Sequence, residues 1–197
     1  MVAYHDDEWG IQVDDERELF ERLALEGFQA GLSWSTILHK RRAFRAAFAG
    51  FDPTIVAGFG TDDRVRLLAD AAIVRNRTKI EATIANARAL GELATDEGPF
   101  AGYLRRFVAE PGRVLPARAT LAGLPARTAE SDALSRDLRQ RGFGFVGPTI
   151  VYAFMQSVGL VDDHLPGCFR YRGWPPRPLR APPARRRACE NGICGTA

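Results

Sequence analysis

Between Gly142 and Val161 the chain runs twenty residues without a charged side chain, and a stretch of that kind has to be buried. A membrane is one place to bury it. Four glycines (Gly142, Gly144, Gly147, Gly159) and Pro148 interrupt the run, however, and a lipid-facing helix must satisfy its own backbone without such breaks. The reading that remains is a tight turn feeding a helix wrapped by protein. The chain can do the wrapping: 197 residues with 46% hydrophobic and 26% charged content match one well-cored soluble domain. The segment Met1 to Glu8 has neither a basic region nor an apolar stretch, so no secretory signal is expected there. Three cysteines, Cys168, Cys189 and Cys194, are too few for a disulfide framework, and a reducing cytoplasm is the expected compartment.

Helical spacing dominates the rest of the sequence. Asp15 and Glu18 resemble a capping box, with Leu19, Phe20 and Leu23 on one face after it. Phe51-Asp52-Pro53 is a break, after which Ile55, Val56 and Phe59 resume a short helical pattern. Ile80, Ile84 and Ala87 trace a stripe between Arg75 and Leu90. Gly98-Pro99, Pro111-Gly112, Pro116 and Pro125 punctuate a looser middle stretch, and Ser131 opens a helix with Leu134 and Leu138 inward, closed by Gly142. No alternating strand pattern of useful length occurs, so the expected class is all-α. From Tyr171 onward five prolines and six arginines in 27 residues describe an extended, disordered tail. The expected organisation is therefore a domain over residues 1–170 and a tail over 171–197.

Net charge is +3, but residues 171–197 hold six arginines against Glu190, which leaves −2 for residues 1–170. Bulk charge thus says little about nucleic acid, and any such case rests on local features. One is the turn Arg141-Gly142-Phe143-Gly144-Phe145-Val146-Gly147, with Pro148 at a first helical position and Thr149 beside it. Glycines let backbone amides approach a ligand, and a helix N-terminus adds partial positive charge, so Gly142, Gly144, Gly147 and Thr149 form a candidate phosphate cradle. Arg136, Arg139 and Arg141 would add attraction at longer range. An ordinary tight turn between packed helices accounts for the same spacing.

The second feature is Glu26. It lies seven residues after Leu19 and three after Leu23, so helical geometry turns its carboxylate inward with them. An inward carboxylate is costly unless it is paired or functional; an arginine partner is the common solution. Together with Trp34, Tyr4 and Trp9 it suggests instead an aromatic cage for a cationic guest.

Taken together, Y-H-D-D-E-W-G (Tyr4 to Gly10), L-E-G-F-Q-A-G-L-S-W (Leu25 to Trp34), F-D-P (Phe51 to Pro53), R-N-R-T-K-I (Arg75 to Ile80), R-G-F-G-F-V-G-P-T (Arg141 to Thr149) and D-D-H with a later Cys (Asp162 to His164, Cys168) resemble the 3-methyladenine DNA glycosylase I family. The match is collinear over roughly residues 1 to 170. The resemblance implies a helix–hairpin–helix DNA glycosylase fold with a structural zinc, acting on alkylated double-stranded DNA as a monomer. It implies a base pocket of Glu26 and Trp34 with Tyr4 close by, and Trp9 belongs to the same aromatic set. A flipped 3-methyladenine is a cation that such a pocket would hold while water is admitted. The chain's only lysines, Lys40 and Lys79, stand outside the hairpin where a Schiff-base amine would be needed, so monofunctional hydrolysis is expected.

His164 and Cys168 stand four apart, a spacing that puts both across one turn. The resemblance adds His5 as a third zinc ligand, joining the chain start to the end of the core. The family's fourth ligand is a cysteine upstream of the tyrosine–histidine motif, accompanied by a pocket tryptophan. Neither occurs here, where Tyr4 is preceded by three residues. The readings open are a truncated start, a fold-back of Cys189 or Cys194, and water as fourth ligand. Asp162 stands where the family usually has asparagine; either it assists the transition state electrostatically, or it is a helix cap or loop acid. A non-catalytic helix–hairpin–helix DNA-binding protein is the competing reading of the whole chain.

Overall fold

The computed structural model describes residues 1–108 and 119–171, and among them every regular element is helical. The helices are α1 (Val2–Asp7), α2 (Glu16–Gln29), α3 (Trp34–Ala47), α4 (Pro53–Ala57), α5 (Thr61–Ala69), α6 (Arg77–Glu97), α7 (Phe100–Arg105), α8 (Ala129–Gln140) and α9 (Pro148–Ser157). The all-α expectation holds. The prolines at 111 and 116 and the tail beyond Tyr171 lie outside the described residues.

Local signals set the helix ends. Asp15 caps α2 by accepting from the Glu18 amide at 2.9 Å; the Glu18 carboxylate is drawn instead to Arg22 at 2.5 Å, so the expected box closes on one side only. Asp52 caps α4 through the amides of Thr54 and Ile55, with Pro53 as the first helical residue. Helix α6 starts on Asn76 and ends at Gly98, whose φ of +82° suits glycine. It runs seven residues past the Leu90 boundary read from the stripe. Helix α8 begins two residues before Ser131, capped by Thr128 in a reciprocal bond with Ser131. The stretch after Pro99 contains α7, whose Phe100, Tyr103 and Leu104 are buried. Of the apolar residues that resume the pattern after Pro53, Ile55 is 53% exposed and Val56 takes the core position.

Phenylalanines dominate the centre. Phe28, Phe44, Phe48, Phe51 and Phe59 form a chain of ring contacts, with Phe48 and Phe51 stacked at 5.5 Å and 10°. Each is buried, and full burial of one such ring stabilises by roughly 2–3 kcal/mol. A second cluster, Phe100, Tyr103, Phe143 and Phe154, joins α7 to the α8–α9 turn and to α9. Helix α9 packs on both α2 and α8. The uncharged run is therefore a core helix, as read, and among the described residues no helix is long and apolar enough to cross a membrane.

Behind α9 the chain turns at Gly159, whose φ is +72° and on which a Cβ would lie 2.5 Å from the Gln12 amide nitrogen and 2.6 Å from the Ile11 carbonyl carbon. Both are backbone atoms that cannot step aside. Gly91, mid-way along α6, has nothing within 4 Å of the same position. We expect Gly159→Ala to lower unfolding free energy by more than about 2 kcal/mol and Gly91→Ala to raise it by about 0.5–1 kcal/mol. Urea titrations of the two variants check the opposed signs.

Candidate functional site

Four helices meet around one cavity of about 350 Å³. Helix α1 supplies Tyr4 and α2 supplies Glu26. Trp34 opens α3 directly behind the Ser33 cap, which accepts from the Thr36 amide at 3.2 Å. Helix α9 closes the space with Ala153 and Gln156. Tyr4 and Trp34 face each other with ring centroids 5.3 Å apart at 54°, and the Trp34 indole Nε1 is buried without a hydrogen-bond acceptor. Trp9 lines the cavity as well, but its ring packs edge-on against His164 at 4.7 Å. The aromatic set is therefore a Tyr4–Trp34 pair, with Trp9 and His5 lining the side of the cavity towards His164.

Glu26 is 6% exposed, and its carboxyl has no hydrogen bond or ion pair with any described residue. Burial pushes its pKa up to about 8, against the pull of the Arg22 guanidinium one turn earlier in α2. That arginine is engaged elsewhere: it donates to the carbonyls of Ser157 at 2.7 Å and Glu8 at 3.2 Å, and its ion pairs run to Glu18 and Glu8. The arginine-paired reading of Glu26 is thus not what the structure contains. Burial also raises the Tyr4 hydroxyl, with the nearby Glu26 charge as the second cause. The phenol stays protonated and remains a donor.

Beside the cavity, His5, His164 and Cys168 bring their ligand atoms within 4.8 Å of one another. Such a group can hold a metal ion. His164 is buried, its Nδ1 is 2.7 Å from Asp162 Oδ1, and its Nε2 has no partner. Asp162 also accepts from the His164 amide at 3.2 Å. The structure therefore places Asp162 on the histidine, away from the cavity lining, where it orients the ring. Electrostatic assistance to a guest in the cavity does not match this placement.

The α8–α9 turn has the expected shape, with different occupants. Gly142 adopts φ +87° and Phe145 φ +53°. The Gly142, Phe143 and Gly144 amides are taken by Arg139 O, Leu138 O and Asn86 Oδ1, the last at 2.7 Å. Gly142 and Gly144 thus shape the turn, and the amides of Phe145, Val146 and Gly147 are the ones without a partner among the described residues. Thr149 is exposed at the start of α9. Arg141 is held by Asp137 at 2.7 Å and Glu97 at 2.5 Å, which removes it from the expected cation set. Arg136 and Arg139 remain exposed, and Arg139 Nη2 comes within 3.4 Å of where a Gly147 Cβ would stand.

Sequence reasoning missed Arg22, Asn86 and Gln156. The one available signal was a polar pair, Tyr152 and Gln156, four apart on an otherwise apolar helix.

The methyladenine glycosylase family profile matches residues 1–171. The chain belongs to that family. It is 49% identical over 172 residues to DNA-3-methyladenine glycosylase 1 of Escherichia coli (strain K12), covering 87% of this chain and 91% of that protein. Its fold superposes with a TM-score of 0.83 and 48% identity on a crystal structure of 3-methyladenine DNA glycosylase I, over 86% of this chain and 93% of that one. A Staphylococcus aureus 3-methyladenine DNA glycosylase I, described as showing the structural basis of 3-methyladenine recognition, matches with TM-score 0.81 and 36% identity over 85% of this chain and 88% of that one.

A carboxyl raised on folding favours the protonated native state, so its contribution is full below pH 4.5 and is lost as pH rises to about 8. Glu26→Gln removes that loss. We expect the variant to match the parent in thermal stability near pH 4.5 and to exceed it at pH 9 by a few kcal/mol, since each tenfold change in acidity is worth about 1.4 kcal/mol. Melting curves across this range decide it; a constant offset at every pH would contradict the assignment.

Proposed function

We propose that the protein is a monofunctional DNA-3-methyladenine glycosylase, cleaving the bond between the modified adenine and C1′ of its deoxyribose in alkylated double-stranded DNA. The observation that carries this is the unpaired Glu26 carboxyl, buried in a cavity that it shares with the Tyr4–Trp34 pair. A neutral base gives such a carboxyl no reason to ionise. A 3-methylated adenine carries a positive charge, and on entering the cavity it supplies the partner that Glu26 lacks. Binding therefore drives the proton off Glu26, and the resulting ion pair favours the cationic lesion over unmodified adenine. Trp34 supplies a stacking face, worth roughly 1–3 kcal/mol per base. The glycosidic electrons leave with the base, which becomes neutral. The positive charge passes to the sugar beside the Glu26 carboxylate, and water adds at C1′ and loses its proton.

The lysines support hydrolysis without a lyase step. Lys40 Nζ donates to the carbonyls of Ala71 and Ala72, and Lys79 Nζ to those of Phe28 and Ala30. Neither lines the cavity. The α8–α9 turn serves as the helix–hairpin–helix grip on DNA backbone. Gly147 and the N-terminus of α9 offer amides, Thr149 a hydroxyl and Arg139 a cation to a phosphate.

The group at His5, His164 and Cys168 suits zinc. Two imidazoles and a thiolate are borderline-soft donors, and the buried His164 Nε2 without a partner has its ring fixed by Asp162 as a ligating histidine does. Bound zinc would supply a cross-link between α1 and the segment after α9; Cys189 and Cys194 lie outside the described residues. The enzyme acts as a monomer in the cytoplasm.

Release of free base from methylated duplex DNA tests the activity. We expect 3-methyladenine release by the parent, at least a hundredfold loss in Glu26→Ala, and no borohydride-trapped adduct. Release of 7-methylguanine at comparable efficiency would count against the specificity. Because the ionised carboxyl is the form that pairs with the cation, kcat/KM should climb as pH rises from 6 to 8 and level off above. A decline over that interval would mean that the protonated acid is the active form. Elemental analysis of the purified protein should find about one zinc per chain and much less in Cys168→Ser.

A further inference from the structure

Gln156 stands in the cavity with Glu26 and Trp34 and also borders the space beside the histidines. It reaches the cavity from α9, opposite the Glu26 helix. Its amide is not free to turn. Nε2 donates to Asp163 Oδ2 at 2.6 Å, and the same oxygen accepts from the Tyr152 hydroxyl at 2.5 Å. Tyr152 and Gln156 are one helical turn apart, so both reach the same carboxylate. Asp163 is 5% exposed, and its Oδ2 is the acceptor that both groups share. The NH2 end of Gln156 must therefore face Asp163. The carbonyl Oε1 is left turned away, without a protein donor among the described residues.

We propose that Gln156 is a base-reading residue, its Oε1 accepting a hydrogen bond from the exocyclic amine of the flipped adenine, and that Asp163 is the positioning residue that keeps it in that orientation. The inference rests on the glycosylase reading and gives it a specificity element besides charge. An adenine edge presents two N–H donors at C6. A base with oxygen at C6 presents an acceptor, which would meet an acceptor on Gln156 and leave both buried groups unpaired. Sites built on a required hydrogen bond reject the analogue that lacks it more strongly than shape alone can. Glu26 selects for positive charge; Gln156 selects for the amine.

The test compares two bases of equal size that differ at C6, 3-methyladenine and 3-methylhypoxanthine, binding to the full chain and followed by tryptophan fluorescence. The parent should prefer the amine-bearing base. In Gln156→Leu that preference should fall by about tenfold or more. Asp163→Asn should erode it by a smaller factor, because an asparagine can present either a donor or an acceptor and so releases the amide to turn over. A purely structural role for the pair would lower melting temperature and weaken both bases together without moving their ratio. Gln156→Met, which keeps the length of the side chain, repeats the measurement if the leucine variant does not fold. An unchanged ratio in a folded Gln156 variant overturns the proposal. Failure of the parent itself to release 3-methyladenine from methylated DNA would overturn the glycosylase reading instead, so the two failures are told apart.

Discussion

The buried guanidinium of Arg22 joins the elements that make the cavity. It is 4% exposed, it sits on α2 one turn before Glu26, and its bonds reach the carbonyl of Ser157 at the end of α9 and both the carbonyl and the carboxylate of Glu8 just past α1. Glu8 in turn receives Arg41 of α3 at 2.5 Å, and Arg41 reaches the buried Glu21 of α2 at the same distance. One ion network thus ties α1, α2, α3 and α9, the four elements whose side chains line the cavity. Breaking a buried pair by removing one partner is far more costly than the pair is worth, so the cavity walls are held in register by charges that cannot be relaxed singly.

Within that frame Glu26 is the exception. Every other buried acid near it has a partner: Glu21 has Arg41 and Arg45, Asp163 has Tyr152 and Gln156, and Asp162 has His164. A fold able to satisfy those groups leaves one carboxyl facing an aromatic-walled space, with Arg22 close enough to moderate its pKa but committed elsewhere. The desolvation of Glu26 is a standing destabilisation, and on the proposed function a cationic guest would remove it. That difference between a neutral and a charged guest would act as a selectivity device without any contact to the methyl group.

Much of this was legible in the sequence, because helical period and capping chemistry are local. The inward direction of Glu26 followed from its distance to Leu19 and Leu23, and the core position of the α9 run followed from its lack of charge. What was not legible depended on partners far along the chain. Arg141 sits in a glycine-rich turn and reads as a free cation until Glu97, on another helix, takes it. Asp162 reads as a catalytic acid or a loop acid until His164 folds back over it. Ile55 fits the apolar pattern, yet α4 is one and a half turns long and has a single residue, Val56, to present to the core. Arg22 carries no apolar signature at all, and only the carbonyls it meets 14 and 135 residues away make it a core residue.

The α8–α9 turn and the cavity are not independent parts. Phe145, at the apex of the α8–α9 turn, holds a positive φ that a bulky residue rarely adopts, and its Cβ lies 3.3 Å from where a side chain on Gly27 would begin. Gly27 directly follows Glu26. A Cβ at this position would push the turn back from α2 by a few tenths of an ångström. The Lys79 ammonium sits 5.9 Å over the Phe145 ring while its hydrogens satisfy the Phe28 and Ala30 carbonyls at the end of α2, where a cation also complements the helix dipole. Asn86, two turns along α6 from Lys79, holds Gly144 from the other side through both its carbonyl and its amide. Helix α6 is therefore a rigid bar fixing the turn and the Glu26 helix at one distance from each other. On the proposed function, a phosphate seated at Gly147 would set where the flipped nucleotide enters, and that distance would aim the base at Glu26.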